Sequence, residues 1–131
     1  MAPISDEFSV KLLDGFRNAR GFVFEPVNAD GLLNQRNCHV AITAPGCVRG
    51  NHYHPKGTEI CVVCGPALVR VRHQGETKDF PVEGHEVKQF VFPPGMPHAI
   101  RNDSPTSQFL ISFATIPHTP EAPNLVREVL I

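Results

Sequence analysis

The sequence predicts an all-β domain, folded as an antiparallel β-sandwich or small barrel, and three observations support this. Short stretches of alternating apolar and polar residues recur about nine times, at a spacing of roughly ten residues. The 131 residues include 13 Pro and 10 Gly, which favour turns and end strands. No stretch has the apolar period of a long helix. We therefore expect one domain spanning residues 1–131, a length that suits a single hydrophobic core.

In the first half of the chain, turn residues separate the apolar stretches. A short apolar alternation runs from Phe8 to Leu13, and Asn28–Gly31 has the composition of a turn. Pro26 ends one expected strand, and Pro45 with Gly46 ends the next. The expected strands of this half are Arg20–Pro26, Asn37–Thr43, a strand through His52 and His54, and Glu59–Val63.

The second half opens at a break formed by Gly65 and Pro66. Val69 and Val71 then alternate with two arginines, which predicts a strand with one polar face. The hairpin turn that follows is at Gln74–Glu76. The expected strands of this half are Ala67–His73, Lys78–Val82, Gln89–Phe92, a strand that begins at His98, and Phe109–Ala114. After a Pro-rich stretch, the final segment Asn124–Ile131 fits either a helical turn or an edge strand.

Composition narrows the class of partner and compartment. A net charge of −1 gives no electrostatic basis for binding nucleic acid or an anionic membrane, and no apolar run reaches the length of a membrane span. The first ten residues contain Asp6 and Glu7 and no apolar run, so we expect no secretory signal. Four cysteines without such a signal indicate reduced thiols in a cytoplasmic protein. Cys61 and Cys64 should face opposite sides of a strand as small packing residues, not as a zinc knuckle.

The chemistry of the chain is concentrated in two short stretches. His52 and His54 are two residues apart, so a strand places both imidazoles on one face. A turn at Pro55–Thr58 returns Glu59 alongside them, and a Pro-Gly turn at 93–95 delivers His98 from a separate hairpin. Three imidazoles and a carboxylate suit one divalent transition metal, without selecting among Zn, Fe, Mn, Ni and Co.

Several other side chains are candidates for the same pocket. His39, in the strand just upstream, could support the metal ligands or belong to the core, and His39 and a metal-bound water are the candidates for proton transfer. Arg49 and Arg70 could hold a phosphate or carboxylate of a ligand, because guanidinium binds oxyanions in a bidentate manner. Other candidates are better explained by a solvent-exposed position, namely Arg72, His73, His85 and His118.

These two stretches resemble the two motifs of the cupin superfamily. Gly46, His52, His54, Glu59 and Gly65 match the first motif, with the last Gly one place early. The second motif, Pro-x-Gly, two residues, His, three residues and Asn, is matched by Pro93, Gly95, His98 and Asn102. The resemblance implies a jelly-roll fold in which the three histidines and the glutamate bind a metal.

A closer resemblance lies in the segment from Pro45 to His54, which reads Pro-Gly-Cys-Val-Arg-Gly-Asn-His-Tyr-His. It is similar to the C-terminal cupin domain of bifunctional capsular-polysaccharide biosynthesis enzymes, a metal-containing epimerase of nucleotide-linked keto-sugars. Arg49-Gly50-x-His52 also resembles the dTDP-4-dehydrorhamnose 3,5-epimerases, in which that histidine is the catalytic base. Those enzymes use a late tyrosine as the opposing acid, whereas Tyr53 is the single tyrosine here.

The resemblance implies a metal-dependent isomerase or epimerase that acts on a nucleotide-activated 4-keto sugar in polysaccharide or deoxysugar biosynthesis. His52 is then a metal ligand and, by analogy with the rhamnose enzymes, a catalytic candidate. Two alternatives stay open: a small metal-dependent oxygenase or lyase, and a non-enzymatic module that binds metal or sugar. We also expect a homodimer, because Phe8, Val10 and Leu12 would form an apolar edge.

Overall fold

The computed structural model describes residues 7–131, and this part of the chain is almost entirely β-structure. It contains twelve strands and one short helix within those bounds. The elements are β1 Ser9–Leu12, β2 Gly15–Asn18, β3 Gly21–Phe24, α1 Ala29–Leu32, β4 Asn37–Thr43, β5 Val48–Tyr53, β6 Glu59–Cys64, β7 Ala67–His73, β8 Glu76–Val82, β9 Val87–Phe92, β10 His98–Asn102, β11 Gln108–Ala114 and β12 Val126–Arg127.

Two five-stranded antiparallel sheets face each other. Sheet 1 has the order β1-β9-β6-β11-β4, and sheet 2 has the order β12-β5-β10-β7-β8. Between β4 and β11 the chain changes sheet at every connection except the β7–β8 hairpin, which gives the strand order of a jelly roll. The predicted all-β, antiparallel jelly-roll class is therefore confirmed. Residues 1–6 of the predicted single domain lie outside the described part.

Strand periodicity determines where the core lies. Val69 and Val71 of β7 are fully buried between the sheets, while Arg70 alternates with them and lies on the outer face. The apolar run in β6 has a different cause, because both of its faces are covered. Cys61 belongs to the core between the sheets, and Cys64 packs against a second cluster on the outer face of sheet 1. The two thiols therefore point to opposite sides, as expected.

The second cluster is built by the β2–β3 hairpin. Phe22 and Phe24 stack on each other at 5.5 Å and pack against Ile60 and Val62 on the outer face of sheet 1. The hairpin covers the outer face of β6, so this strand is buried on both faces. A strand buried on both faces needs apolar residues at nearly every position, which explains the continuous apolar run in β6. The hairpin therefore leaves the inner face of sheet 1 to the core and the site.

Two segments take a form that the sequence alone did not decide. Asn28–Gly31 was expected to be a turn, but the Asn28 side chain accepts a hydrogen bond from the Gly31 backbone N–H and caps one turn of helix. The turn prediction was wrong because the same residue types form turns and helix N-caps. The final segment pairs as an edge strand, β12, rather than forming a helical turn.

The apolar N-terminal edge is only partly exposed. Phe8 packs against Phe80 and Phe92 at ring-centroid distances of 5.5 and 6.5 Å, and Val10 also packs against the core. Leu12 is exposed. The homodimer therefore stays a prediction, and two of the three side chains behind it are partly buried within one chain. No helix in the described range is long and apolar enough to cross a membrane.

Candidate metal centre

Four side chains converge at one end of the space between the sheets. His52, His54, Glu59 and His98 each offer one ligand atom, and these atoms all lie within 4.8 Å of one another. Sheet 2 supplies His52 from β5 and His98 from the start of β10, and His54 follows the end of β5. Sheet 1 supplies Glu59 at the start of β6. The fold thus brings together all four residues that the sequence predicts as metal ligands.

A β-bulge aligns β5 with β10 at this point. His98 pairs with His52, but the next residue, Ala99, pairs with Gly50, so Asn51 is the extra residue. Gly50 and Asn51 have φ angles of 88° and 58°. A Cβ on Gly50 would lie 2.7 Å from the His98 carbonyl oxygen, so the close approach of the strands requires glycine here.

Backbone carbonyls fix the orientation of two imidazoles. His54 Nδ1 lies 2.7 Å from the Asn124 carbonyl oxygen, and His98 Nδ1 lies 3.0 Å from the Met96 carbonyl oxygen. A carbonyl only accepts hydrogen bonds, so each neutral ring donates from Nδ1 and keeps a lone pair on Nε2. Such partners orient metal-binding histidines in known sites. Phe92 also stacks on the His98 ring, at a centroid distance of 4.1 Å and an angle of 4°.

Both free lone pairs point towards one carboxylate oxygen. Glu59 Oε1 lies 3.4 Å from His54 Nε2 and 2.9 Å from His98 Nε2. It is buried, and it accepts no hydrogen bond from the described residues. The other oxygen, Oε2, accepts a hydrogen bond from the Ser112 hydroxyl. A buried carboxylate oxygen beside two nitrogen lone pairs is what a cation would satisfy, so the residues present fit a metal ion.

The electrostatics of the cluster agree with this. Burial, followed by the neighbouring His98 and His54, lowers the pKa of His52 to about 4, so this ring is neutral at pH 7. Burial opposes ionisation of Glu59, but the imidazoles of His54 and His98 outweigh it and hold the Glu59 pKa well below its usual value. Glu59 in turn raises the pKa of His54. Without a cation, the cluster therefore tends to take up a proton at His54.

The other candidate residues lie outside this cluster. Arg70, on the outer face of sheet 2, forms a bidentate ion pair with Asp79 at 2.6 and 2.9 Å. Arg49 lies on β5 three residues before His52, and its Nη2 donates to the Ile42 carbonyl oxygen at 2.9 Å. Neither arginine is brought to the four ligands.

The remaining histidines are also separate from the ligand cluster. His39 is exposed on β4, opposite Ser112 in the strand register, so it shares the inner face of sheet 1 with the residue that contacts Glu59. His85 and His118 are exposed, as expected. His73 is half-buried and packs against the Phe8 ring at 5.2 Å.

Two supporting residues were missed in the sequence. Asn124 supplies the carbonyl that orients His54, and its side chain makes two hydrogen bonds with the Lys56 backbone, at 3.0 and 2.6 Å. Ser112 donates to Glu59 from the neighbouring strand. Both contacts join residues more than fifty positions apart, so no local pattern indicates them.

Comparison with known families places this site in context. A family model described as the polysaccharide biosynthesis C-terminal domain matches residues 17–125. The chain belongs to this family. A comparison with curated proteins gives no match. The match covers both motifs of the site. The resemblance to the C-terminal domain of polysaccharide biosynthesis enzymes, which the sequence indicated, is therefore confirmed.

Solved structures agree with the family assignment. The capsular polysaccharide assembling protein CapF from Staphylococcus aureus is 27% identical with a TM-score of 0.65, over 73% of this chain and 27% of that chain. In a second CapF structure, the alignment covers 34% of its length, so this family member spans about a third of CapF.

Two more distant structures share the fold. The rmlC epimerase of Mycobacterium tuberculosis has 14% identity and a TM-score of 0.68, over 87% of this chain and 66% of that chain. A variant of the 3,4-ketoisomerase QdtA from Thermoanaerobacterium thermosaccharolyticum, in complex with TDP-4-keto-6-deoxyglucose, has 12% identity and a TM-score of 0.70, over 92% of this chain and 87% of that chain. The cupin jelly roll is therefore shared with epimerases and ketoisomerases of sugars.

Proposed function

We propose that the domain binds one divalent transition metal through His52, His54, Glu59 and His98 and isomerises or epimerises a nucleotide-activated 4-keto sugar. The observation that carries the metal assignment is the buried Glu59 Oε1, which faces two imidazole lone pairs and accepts no hydrogen bond from the described chain. The family assignment and the similarity to CapF support a role in polysaccharide biosynthesis.

The chain's own residues prepare the centre for a carbonyl substrate. When bound, a divalent metal supplies a Lewis acid that polarises a carbonyl oxygen. Met96 and Asn124 hold two ligand rings in place through their carbonyl oxygens, which lowers the reorganisation needed on binding. Phe92 covers one face of His98 and excludes water from that side. The His54 side chain is 27% exposed, compared with 3% for His98, so a ligand enters from the His54 side.

Isomerisation or epimerisation next to a ketone requires a base that removes a proton from carbon and an acid that returns one. His52 is a poor base while its nitrogen coordinates a metal, because that lone pair is no longer available. The candidates for proton transfer are His39 and a metal-bound water. His39 lies on the inner face of sheet 1 opposite Ser112, and among the described residues its Nδ1 has a long 3.5 Å contact with Asn37.

The direct test is proton exchange in deuterated water. Metal-loaded protein is incubated with TDP-4-keto-6-deoxyglucose and with the UDP equivalent, and deuterium in the sugar is measured by mass spectrometry. We expect deuterium to enter next to the ketone, chelator to stop it, and His54→Ala to abolish it. His85→Ala, which replaces an exposed histidine, should retain full exchange.

The alternative functions give different results in the same experiment. Oxygen consumption without deuterium entry would replace the proposal with an oxygenase. Metal and nucleotide binding without any turnover would replace it with a binding module. The first two outcomes leave the metal centre itself in place, whereas equal metal content in wild type and His54→Ala would contradict the centre.

A further inference from the structure

A short strand lies beside the metal centre and carries a charged residue that faces it. β12 pairs with β5 in antiparallel register, with Val126 opposite Tyr53 and Arg127 opposite His52. Residues directly opposite each other in an antiparallel pair point to the same face, with Cβ atoms about 5 Å apart. Arg127 therefore lies on the same face of sheet 2 as the His52 imidazole, at the edge of the cluster.

The guanidinium of Arg127 has no protein partner in the described range, unlike its neighbours on sheet 2. Arg70 and Arg101 form ion pairs with Asp79 and Asp103 at 2.6 and 2.5 Å, and Arg72 forms one with Glu128. Arg127 is exposed and lies directly opposite His52 in the strand register. A guanidinium at the edge of the cluster that is not paired with a carboxylate is available to bind an anionic group of a ligand.

The geometry of the opening indicates where such an anion would lie. The side chains of His98 and Glu59 are 3% and 11% exposed, and that of His54 is 27% exposed. The centre is thus buried on the His98 side, and His54 and Arg127 are its more exposed side chains. A ligand with a neutral end and an anionic end would place its neutral end at the metal and its anionic end at this opening.

We propose that Arg127 binds the diphosphate of a nucleotide-linked ligand at the mouth of the metal centre. This rests on the proposed function for the ligand class, and it gives to Arg127 the role that the sequence suggested for Arg49 or Arg70. A guanidinium binds phosphate oxygens through two parallel N–H donors. Arg70 already uses two such donors to bind Asp79, and Arg49 donates to the Ile42 carbonyl oxygen. Arg127 keeps its donors available.

The test compares nucleotide binding in four proteins: wild type, Arg127→Gln, Arg127→Lys and Arg20→Gln. Arg20 is a matched control because it is exposed, lies in the β2–β3 turn on the other side of sheet 1, and its loss changes the net charge equally. Each protein is loaded with metal, its metal content is measured by elemental analysis, and the affinities for TDP and UDP are measured by calorimetry at one ionic strength.

We expect all four proteins to hold equal metal. Loss of a charged hydrogen bond should weaken binding of the preferred nucleotide about tenfold to a hundredfold in Arg127→Gln, and Arg20→Gln should bind like wild type. Arg127→Lys should fall between, because it keeps the charge but loses the planar fork. If Arg127→Gln loses metal, the nucleotide affinity of Arg127→Lys is compared with that of wild type instead, because the lysine keeps the positive charge.

Two results would overturn the proposal, and they separate it from the proposed function. Equal nucleotide affinity in Arg127→Gln, Arg20→Gln and wild type would remove Arg127 from the site while leaving a nucleotide-sugar enzyme intact. Failure of the wild type to bind either TDP or UDP would reject the diphosphate role together with the nucleotide part of the proposed function.

Discussion

Replacing Glu59 by Gln should raise the stability of the metal-free protein and reduce the stabilisation that the protein gains from metal. In the metal-free protein, Glu59 Oε1 is buried 2.9 Å from His98 Nε2 and accepts no hydrogen bond from the described residues. An amide of the same shape would donate to that nitrogen, and its oxygen could still accept from Ser112. Because a buried unsatisfied group costs about 1–3 kcal/mol, the free energy of unfolding should rise by about that amount.

With metal present, most of this advantage should disappear. Metal at a hundred times its Kd stabilises the wild type by about 2.7 kcal/mol. A neutral amide is a weaker ligand than a carboxylate, and a hundredfold loss of affinity would reduce this gain to about 0.4 kcal/mol. The difference between the two proteins should therefore change by about 2 kcal/mol between the two conditions, which corresponds to roughly 6–10 °C in Tm for a chain of this length.

Thermal unfolding followed by circular dichroism, with chelator and then with excess Zn or Mn, measures this change. Both proteins are measured at one pH of about 8.5, which disfavours protonation of His54, whose pKa Glu59 raises. Glu76→Gln is the matched control, since that carboxylate is 75% exposed. If the difference in Tm between wild type and Glu59→Gln is the same in chelator and in metal, Glu59 is not a metal ligand.

Three further predictions concern the same centre. His54→Ala should lower metal content and Tm together because bound metal stabilises the folded state, whereas His85→Ala should change neither; elemental analysis and thermal unfolding check both. Asn124→Ala removes the two side-chain hydrogen bonds to Lys56 that hold the carbonyl against His54, and metal titration should show affinity reduced about tenfold; unchanged affinity would reject this positioning role. Metal occupancy should fall as pH decreases, because His54, whose pKa Glu59 raises, takes up a proton that competes with metal; pH-independent occupancy would contradict this.

The sequence predicted the strands and ligands where local rules decide them. The period of two in β7 placed Val69 and Val71 in the core, and the same period placed His52 and His54 on one face. The run in β6 was also recognised, although its burial on both faces depends on the distant β2–β3 hairpin. Local alternation was therefore sufficient for the approximate position of most strands and for which candidate ligand side chains share a face. It did not predict β2, and β8 and β9 each begin two residues earlier than expected.

The bulge lay beyond such rules. Simple alternation from His52 places Arg49 on the opposite face of β5. The extra residue Asn51 shifts the register, so Arg49 pairs with the core residue Ile100 and lies on the inner face of sheet 2. For Arg70, alternation gave a polar face correctly, but only the packing of the two sheets shows that this face is the outer one. Arg127 was not found because its position depends on a strand pairing across more than seventy residues.

The segment 124–131 is attached to the site through Asn51. The Asn51 carbonyl accepts from the Glu128 backbone N–H at 2.9 Å, and its side chain accepts from the Leu130 backbone N–H at 2.8 Å. The same segment orients His54. Docking of the segment on β5 should therefore strengthen ligand binding at the centre, and ligand binding should strengthen docking. Such coupling is reciprocal. If the docked segment raises metal affinity, bound metal should stabilise the docked segment by the same free energy, which would be measured as slower amide hydrogen exchange in residues 124–131. A molecule that lifts this segment from β5 should therefore weaken metal binding at the proposed centre by the same factor.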